Sequence, residues 1–208
     1  MKDELIFPII GAESKLPIYV MGVGCLINQH PIYRENGFPH YQVIYCANGS
    51  GVLKVQGEKF QITTEQVMIL YPDEPHEYCA VEEPWETHWI IFEGESVPNI
   101  FQALGFTKTM VLYLQNLIGL DDIWRQIIME AKNQYSDNGY KCSSLAYHFM
   151  ITLKNITSVE LPLVKDKKMT KLSNVLRYID NNFGDSLTID ELANCIEVSP
   201  QYLCRLFN

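Results

Sequence analysis

Several common signatures are missing from this 208-residue sequence, and each absence removes a class of protein. No apolar run approaches the ~20 residues of a membrane-spanning helix; stretches such as 67–70 and 89–92 are far too short. The opening MKDELIFPIIGAESK carries acids where a signal peptide carries bases, and it has no extended apolar region. The six cysteines (Cys25, Cys46, Cys79, Cys142, Cys195, Cys204) include no CxxC pair, so neither a disulfide framework nor a zinc knuckle is indicated. There is no GxSxG, Walker loop or Cys/His dyad signature. These features predict a cytoplasmic protein with reduced thiols.

Net basic charge is lacking as well. Twenty-five acidic side chains face 16 basic ones, a formal charge of -9, which argues against phosphate contact by the chain as a whole. The imbalance is local, however. Residues 1–164 carry all of the excess acid, whereas residues 165–208 hold six bases and six acids. Hydrophobic residues make up 47% of the chain, enough for a packed core.

Residues 18 to about 95 read as short strands. Tyr41, Val43 and Tyr45 alternate with Gln42, Ile44 and Cys46, the period of a strand. Asn48-Gly49-Ser50-Gly51 predicts a tight hairpin turn, Gly57 a second turn, and Pro72-Asp73-Glu74-Pro75 a loop. Residues 67–71 and 85–92 are further strands, and Gly94 closes the series. Strands at such spacing indicate a sandwich or small barrel. Helical periodicity then takes over from about residue 96. Leu120, Ile123, Trp124, Ile127, Ile128 and Ala131 form one apolar stripe, and Cys142, Leu145, Ala146, Phe149, Leu153 and Ile156 a second. Such stripes either pack on the barrel or face a second subunit. Residues 159–170, with Pro162 and Lys165-Asp166-Lys167-Lys168, read as a linker.

Beyond the linker, Thr188 and Glu191 make a capping box, and Ser199 caps a further helix with Pro200 at its first position. Two short helices joined by a turn, with small Ala193 at their crossing, describe either an αα-hairpin or a helix-turn-helix. The wording LRYIDNNFGDSLTIDELA…VSPQYLCRLF over residues 176–207 resembles the first helix-turn-helix of the AraC/XylS family of transcriptional regulators. Glu197 departs from the Gly that many members have at the tight turn. The resemblance implies that the last helix enters the major groove, with Gln201, Cys204 and Arg205 at reading positions and Ser199 and Asn208 near phosphates. It also implies a second helix-turn-helix unit, which these residues do not contain. The chain is therefore expected to be part of a longer regulator, with weak or no DNA binding by itself.

The strand-rich segment resembles the same family's effector-binding domain, a cupin-type barrel. Tyr41-Gln42-Val43-Ile44-Tyr45, Asn48-Gly49-Ser50-Gly51, Pro72-x-Glu74-Pro75-His76-x-Tyr78 and Trp85-x-x-x-Trp89-x-x-Phe92-x-Gly94 carry that likeness. A usual Gly-Asp ahead of the 67–71 strand is replaced by Glu65-Gln66. The expected architecture is mainly β plus α, with a cupin-like effector-binding and dimerisation domain over 1–158. Its barrel spans about 18–95 and its helices about 96–157. A linker (159–170) and a partial all-α helix-turn-helix domain (171–208) follow.

Residues matching the family's sugar-binding positions are Arg34, Tyr78 and Trp89, with His76 as a further pocket residue. Trp89 would stack on a sugar face while Arg34 and Tyr78 take hydroxyls. The implied protein is a ligand-responsive regulator of a small polar effector, a carbohydrate being the family's commonest kind, working as a homodimer through the helices of 118–157. No cofactor is expected. The alternative is a metal-dependent cupin enzyme such as a sugar isomerase. Against it, no two of His30, His40, His76, His88 and His148 stand as HxH or i,i+4.

Overall fold

The computed structural model describes residues 2–133, 138–160, 174–176, 178–179, 182, 187–196 and 198–207. The chain divides into two compact units, residues 1–161 and 162–208.

The first unit is built on nine antiparallel strands: β1 (Glu4–Ile6), β2 (Tyr19–Leu26), β3 (Ile32–Arg34), β4 (Tyr41–Val55), β5 (Glu58–Thr63), β6 (Gln66–Leu70), β7 (His76–Glu93), β8 (Met110–Leu114) and β9 (Thr157–Glu160). Their main path runs β1-β2-β7-β4-β6-β8-β9, with β3 added on β7 and β5 on β4. This is the expected cupin-like fold, but the strands reach beyond 18–95 on both sides. Residues 159 and 160, expected to open the linker, lie in β9 opposite β8.

The expected hairpin at Asn48–Gly51 is not a hairpin. β4 continues through it, and the ladder with β7 shifts register at Cys46/Asn48, Asn48/Ser50 and Ser50/Gly51. Gly49, at φ +77°, supplies the left-handed residue that such a bulge requires. The chain bends there, so β4 pairs with β6 through Gln42–Tyr45 and with β5 through Ser50–Val55. Gln56 and Gly57, both at positive φ, make the true hairpin turn. At the Glu65-Gln66 departure, Glu65 itself takes φ +64°, at a cost of about 1 kcal/mol for a residue with a Cβ. The Gln66 side chain ties the turn by accepting from Thr63 N–H at 2.6 Å.

Strand alternation sorts the core into two layers. Ile44, Met68, Tyr78, Trp85, Trp89 and Ile91 point into the barrel. Val43, Tyr45, Ile90 and Phe92 point the other way, onto α2 (Leu117–Lys132) and α3 (Asn138–Ile156). A shorter helix, α1 (Val97–Ala103), buries Phe101 in the same layer. The α2 stripe expected from periodicity is buried throughout, from Leu120 to Ala131, where the barrel and the apolar face of α3 cover it together. Helix α3 begins at Asn138, one turn ahead of Cys142, the first residue of its apolar stripe, with Asn138 and Gly139 in its first turn. Among the described residues, no helix is long and apolar enough to cross a membrane.

In the second unit, α4 (Ile189–Asn194) and α5 (Pro200–Phe207) pack Ala193, Ile196 and Leu203 with Val175. The capping box forms: Thr188 Oγ1 accepts from Glu191 N–H at 3.2 Å, and the Glu191 carboxylate accepts from Thr188 N–H at 2.8 Å. Phe207, at the end of α5, is 50% exposed. Glu197, Asn208 and residues 161–170 of the expected linker lie outside the described residues.

Candidate functional site

The β3–β7 ladder assembles part of the expected site. Register places Arg34 opposite His76 and Ile32 opposite Tyr78. Arg34 is exposed, its guanidinium 5.0 Å from the Phe38 ring centre, an energetically useful cation–π distance. His76 is buried and its Nδ1 is 2.7 Å from the Glu74 carbonyl, where it donates as the protonated ring nitrogen. Burial lowers the His76 pKa, and the Arg34 charge adds to that, against the Glu74 hydrogen bond. The Tyr78 ring lies parallel to His76, centres 6.1 Å apart. Burial pushes its hydroxyl up to about 12, so it stays a neutral donor near Arg34.

A cleft of about 470 Å³ opens beside this group, lined by Arg34 and His76 together with Tyr33, Lys54, Gln56 and Glu77. Lys54 is paired with Glu77. Tyr78 and Trp89 do not line this cleft. Both belong to the apolar interior of the barrel, where Tyr78 meets Trp85 edge-on at 6.2 Å. Trp89 sits on β7 opposite Gly24, and only a glycine there leaves room for its indole. Phe7 covers the same ring at 5.9 Å. The structure thus brings Arg34, His76 and Tyr78 together and holds Trp89 apart under Phe7.

Sequence reasoning missed a buried polar cluster on the opposite face of β7. His88 is 2% exposed and stacks on Trp124 of α2 at 4.0 Å and 14°. Its Nδ1 lies 2.9 Å from Asp121 and its Nε2 3.0 Å from Glu86. The Tyr45 hydroxyl donates to Asp121 at 2.8 Å, and Arg125 Nε donates to the other Asp121 oxygen at 2.7 Å. Burial alone would raise the Asp121 pKa, but the bonds from His88 and Tyr45 outweigh it and the net shift is downward. Tyr45 is pushed well above its ordinary value by burial and by Asp121. Trp124 Nε1 also donates to the Trp89 carbonyl at 3.4 Å. The available signal was alternation: His88 falls on the face of Ile90 and Phe92, and a polar residue on an apolar face demands partners.

Elsewhere the histidines are engaged separately, His40 with Glu93 and His76 with the Glu74 carbonyl. Among the described residues no three of His, Cys, Asp and Glu converge as a metal-binding group. In the second unit Gln201, Cys204 and Arg205 are all exposed on α5, with the Ser199 hydroxyl accepting from Tyr202 N–H at 3.2 Å.

Comparison with known proteins places these features. Among solved structures, the AraC-like transcriptional activator CuxR is similar over 95% of this chain and 72% of its own, at 11% identity and a TM-score of 0.49. ToxT from Vibrio cholerae O395 is similar over 99% and 74%, at 8% identity and a TM-score of 0.41. A cupin superfamily protein from Desulfitobacterium hafniense DCB-2 is similar over 44% and 79%, at 9% identity and a TM-score of 0.32. No curated protein matches the chain. The family model of the AraC-like ligand-binding domain matches residues 24–150, more than half of the chain and most of the strands and helices of its first unit. The chain accordingly belongs to the AraC family of ligand-responsive transcription regulators and carries their cupin-type effector-binding domain.

Proposed function

We propose that the first unit senses a small polar effector, a carbohydrate, and that the helix-turn-helix of the second unit engages DNA. The observation that carries the effector reading is the Arg34–His76 pairing across β3 and β7, which lines an open cleft with hydrogen-bonding side chains inside the matched domain. Arg34 and Tyr78 take sugar hydroxyls, His76 adds a ring nitrogen, and Trp89 is the apolar platform once Phe7 withdraws. Binding at Trp89 would be felt on α2 at once, because the Trp89 carbonyl and neighbouring His88 both contact that helix.

A thermal-shift screen of sugars tests this reading. A ligand at 100 times its Kd adds about 2.7 kcal/mol of stability. The expected result is stabilisation by one sugar or sugar class, abolished in Arg34→Ala and weakened in Trp89→Phe. No response to any sugar overturns the carbohydrate assignment. Stoichiometric iron, manganese or zinc in the purified protein would instead favour a cupin enzyme.

For DNA, Gln201, Cys204 and Arg205 face outward from α5 on one side, the arrangement that reading a groove requires. Arg205 suits guanine and Gln201 suits adenine, with Ser199 and Asn208 at phosphates. Footprinting on the operator region with a protein carrying both helix-turn-helix units tests it, since these residues by themselves are expected to bind DNA weakly or not at all. Arg205→Ala should relax specificity at a single base pair, and unaltered protection in that variant would remove Arg205 from the reading set.

A further inference from the structure

The N-terminal segment, with Val20 and the facing ends of α2 and α3, lines a partly open cavity of about 640 Å³. Its walls are mainly apolar, from Leu5, Phe7, Ile9, Val20, Ala131 and Cys142. One carboxylate enters it. Glu13 lies on a single 3-10 turn (Ala12–Lys15) and is only 7% exposed. Gly11 N–H donates to its Oε1 at 2.9 Å, and its Oε2 accepts no hydrogen bond among the described residues.

The carboxylate is held between two glycines. A Cβ at Gly11 would come within 3.1 Å of Oε2, and one at Gly139 would collide with the carboxyl group itself. Gly139 is in the first turn of α3, so the carboxyl group sits directly against that helix end. No cation among the described residues meets this charge. The lysine on the cavity wall, Lys132, is paired with Glu4 at 2.6 Å. The residue as a whole is buried, but its second oxygen opens into the cavity with no cation beside it, and charges withdrawn from bulk water are ordinarily paired.

We propose that this cavity binds an organic ammonium ion, an amine carried on an apolar alkyl or aryl body, with Glu13 as its counter-ion. An ammonium brings three donors to the open carboxylate oxygen, and its hydrocarbon part fits the apolar walls. The volume is in the range of small-molecule sites, roughly 300–1,000 Å³. A ligand acid is repelled by Glu13, and a sugar has too little apolar surface for these walls. This cavity shares no lining residue with the cleft beside Arg34, although its wall residue Phe7 is also the cover over Trp89.

Calorimetric titration of the 208-residue protein with 2-phenylethylamine, 2-phenylethanol and 3-phenylpropanoate tests the assignment. The expected result is saturable binding of the amine, with the alcohol and the acid bound at least about tenfold more weakly, the usual worth of one charge-assisted bond. Glu13→Gln should lower amine affinity by a similar factor while the far-UV circular dichroism stays unchanged. If that variant does not fold, the ranking of the three probes on the unaltered protein decides. Equal binding of alcohol and amine, preference for the acid, or no saturable binding of the amine would overturn the proposal.

Discussion

At the scale of single residues, two titratable groups control how the protein responds to pH. His76 has a lowered pKa, caused first by burial and then by Arg34. The unfolded chain therefore takes up this proton before the folded one does. The stability held by neutral His76 is complete above the ordinary value of ~6.5 and is lost as pH falls through the depressed folded value. Denaturant titrations at a series of mildly acidic pH values should show that loss, and His76→Gln should flatten it. Asp121 behaves similarly at lower pH: its depressed pKa gives stability above the unfolded value of ~3.9, lost on descent through the folded one. Asp121→Asn removes the charge and replaces one of the two acceptor oxygens that serve His88, Tyr45 and Arg125 by an NH2 donor. The expected cost is about 1–3 kcal/mol, read as a lower urea midpoint with an unchanged m-value.

Individual elements show where packing overrode local signals. Asn48-Gly49-Ser50-Gly51 has the composition of a hairpin, but Gly51 lies flat against Trp85 inside the barrel and the strand runs on. Turn chemistry is local, whereas the choice between a turn and a bulge depended on partners some 30 residues away, at Glu82 and Ala80. Gly51→Ala would drive a methyl group into the Trp85 ring, and overpacking of this kind costs about 1–3 kcal/mol. A thermal melt should show the drop. The α2 stripe, by contrast, was legible because a 3.6-residue period involves only near neighbours, and each of its six residues is buried. The Thr188–Glu191 box was legible for the same reason. Thr188→Ala should cost about 1 kcal/mol, seen as earlier loss of helical signal on heating. Arg34, His76 and Tyr78 were placed by likeness to a family; what brought them together, the β3–β7 register, is written in no short stretch of sequence.

Across the whole molecule, the remaining question is association. With the α2 stripe spent on the barrel and on α3, a second subunit has to use what the helices leave exposed: Ile118 and Met129 on α2, Tyr140 and Tyr147 on α3. Homodimerisation through this layer is the expected state. Sedimentation equilibrium at micromolar protein should give twice the chain mass, and Met129→Glu or Tyr147→Glu should return the monomer mass with the barrel still folded. A monomer in the unaltered protein removes the helices of 118–157 as an interface. The charge balance fits the division of labour proposed here: the acidic excess belongs to residues 1–164, leaving residues 165–208 neutral.

Strand β7 ties these scales together. It runs unbroken for 18 residues, from His76 beside the cleft, past Trp85 and Trp89 in the barrel, to Phe92 beneath the helices. Side chains along a strand alternate, so removing one residue between Trp85 and His88 would exchange the two faces of everything on one side of the cut. His88 would be thrown into an oily interior, away from Asp121 and Tyr45, and Trp89 would be turned towards α2. Loops of this domain can therefore lengthen or shorten as the protein diverges, but β7 can change only in steps that preserve parity. An insertion found there in a relative should come in pairs or bring its own bulge.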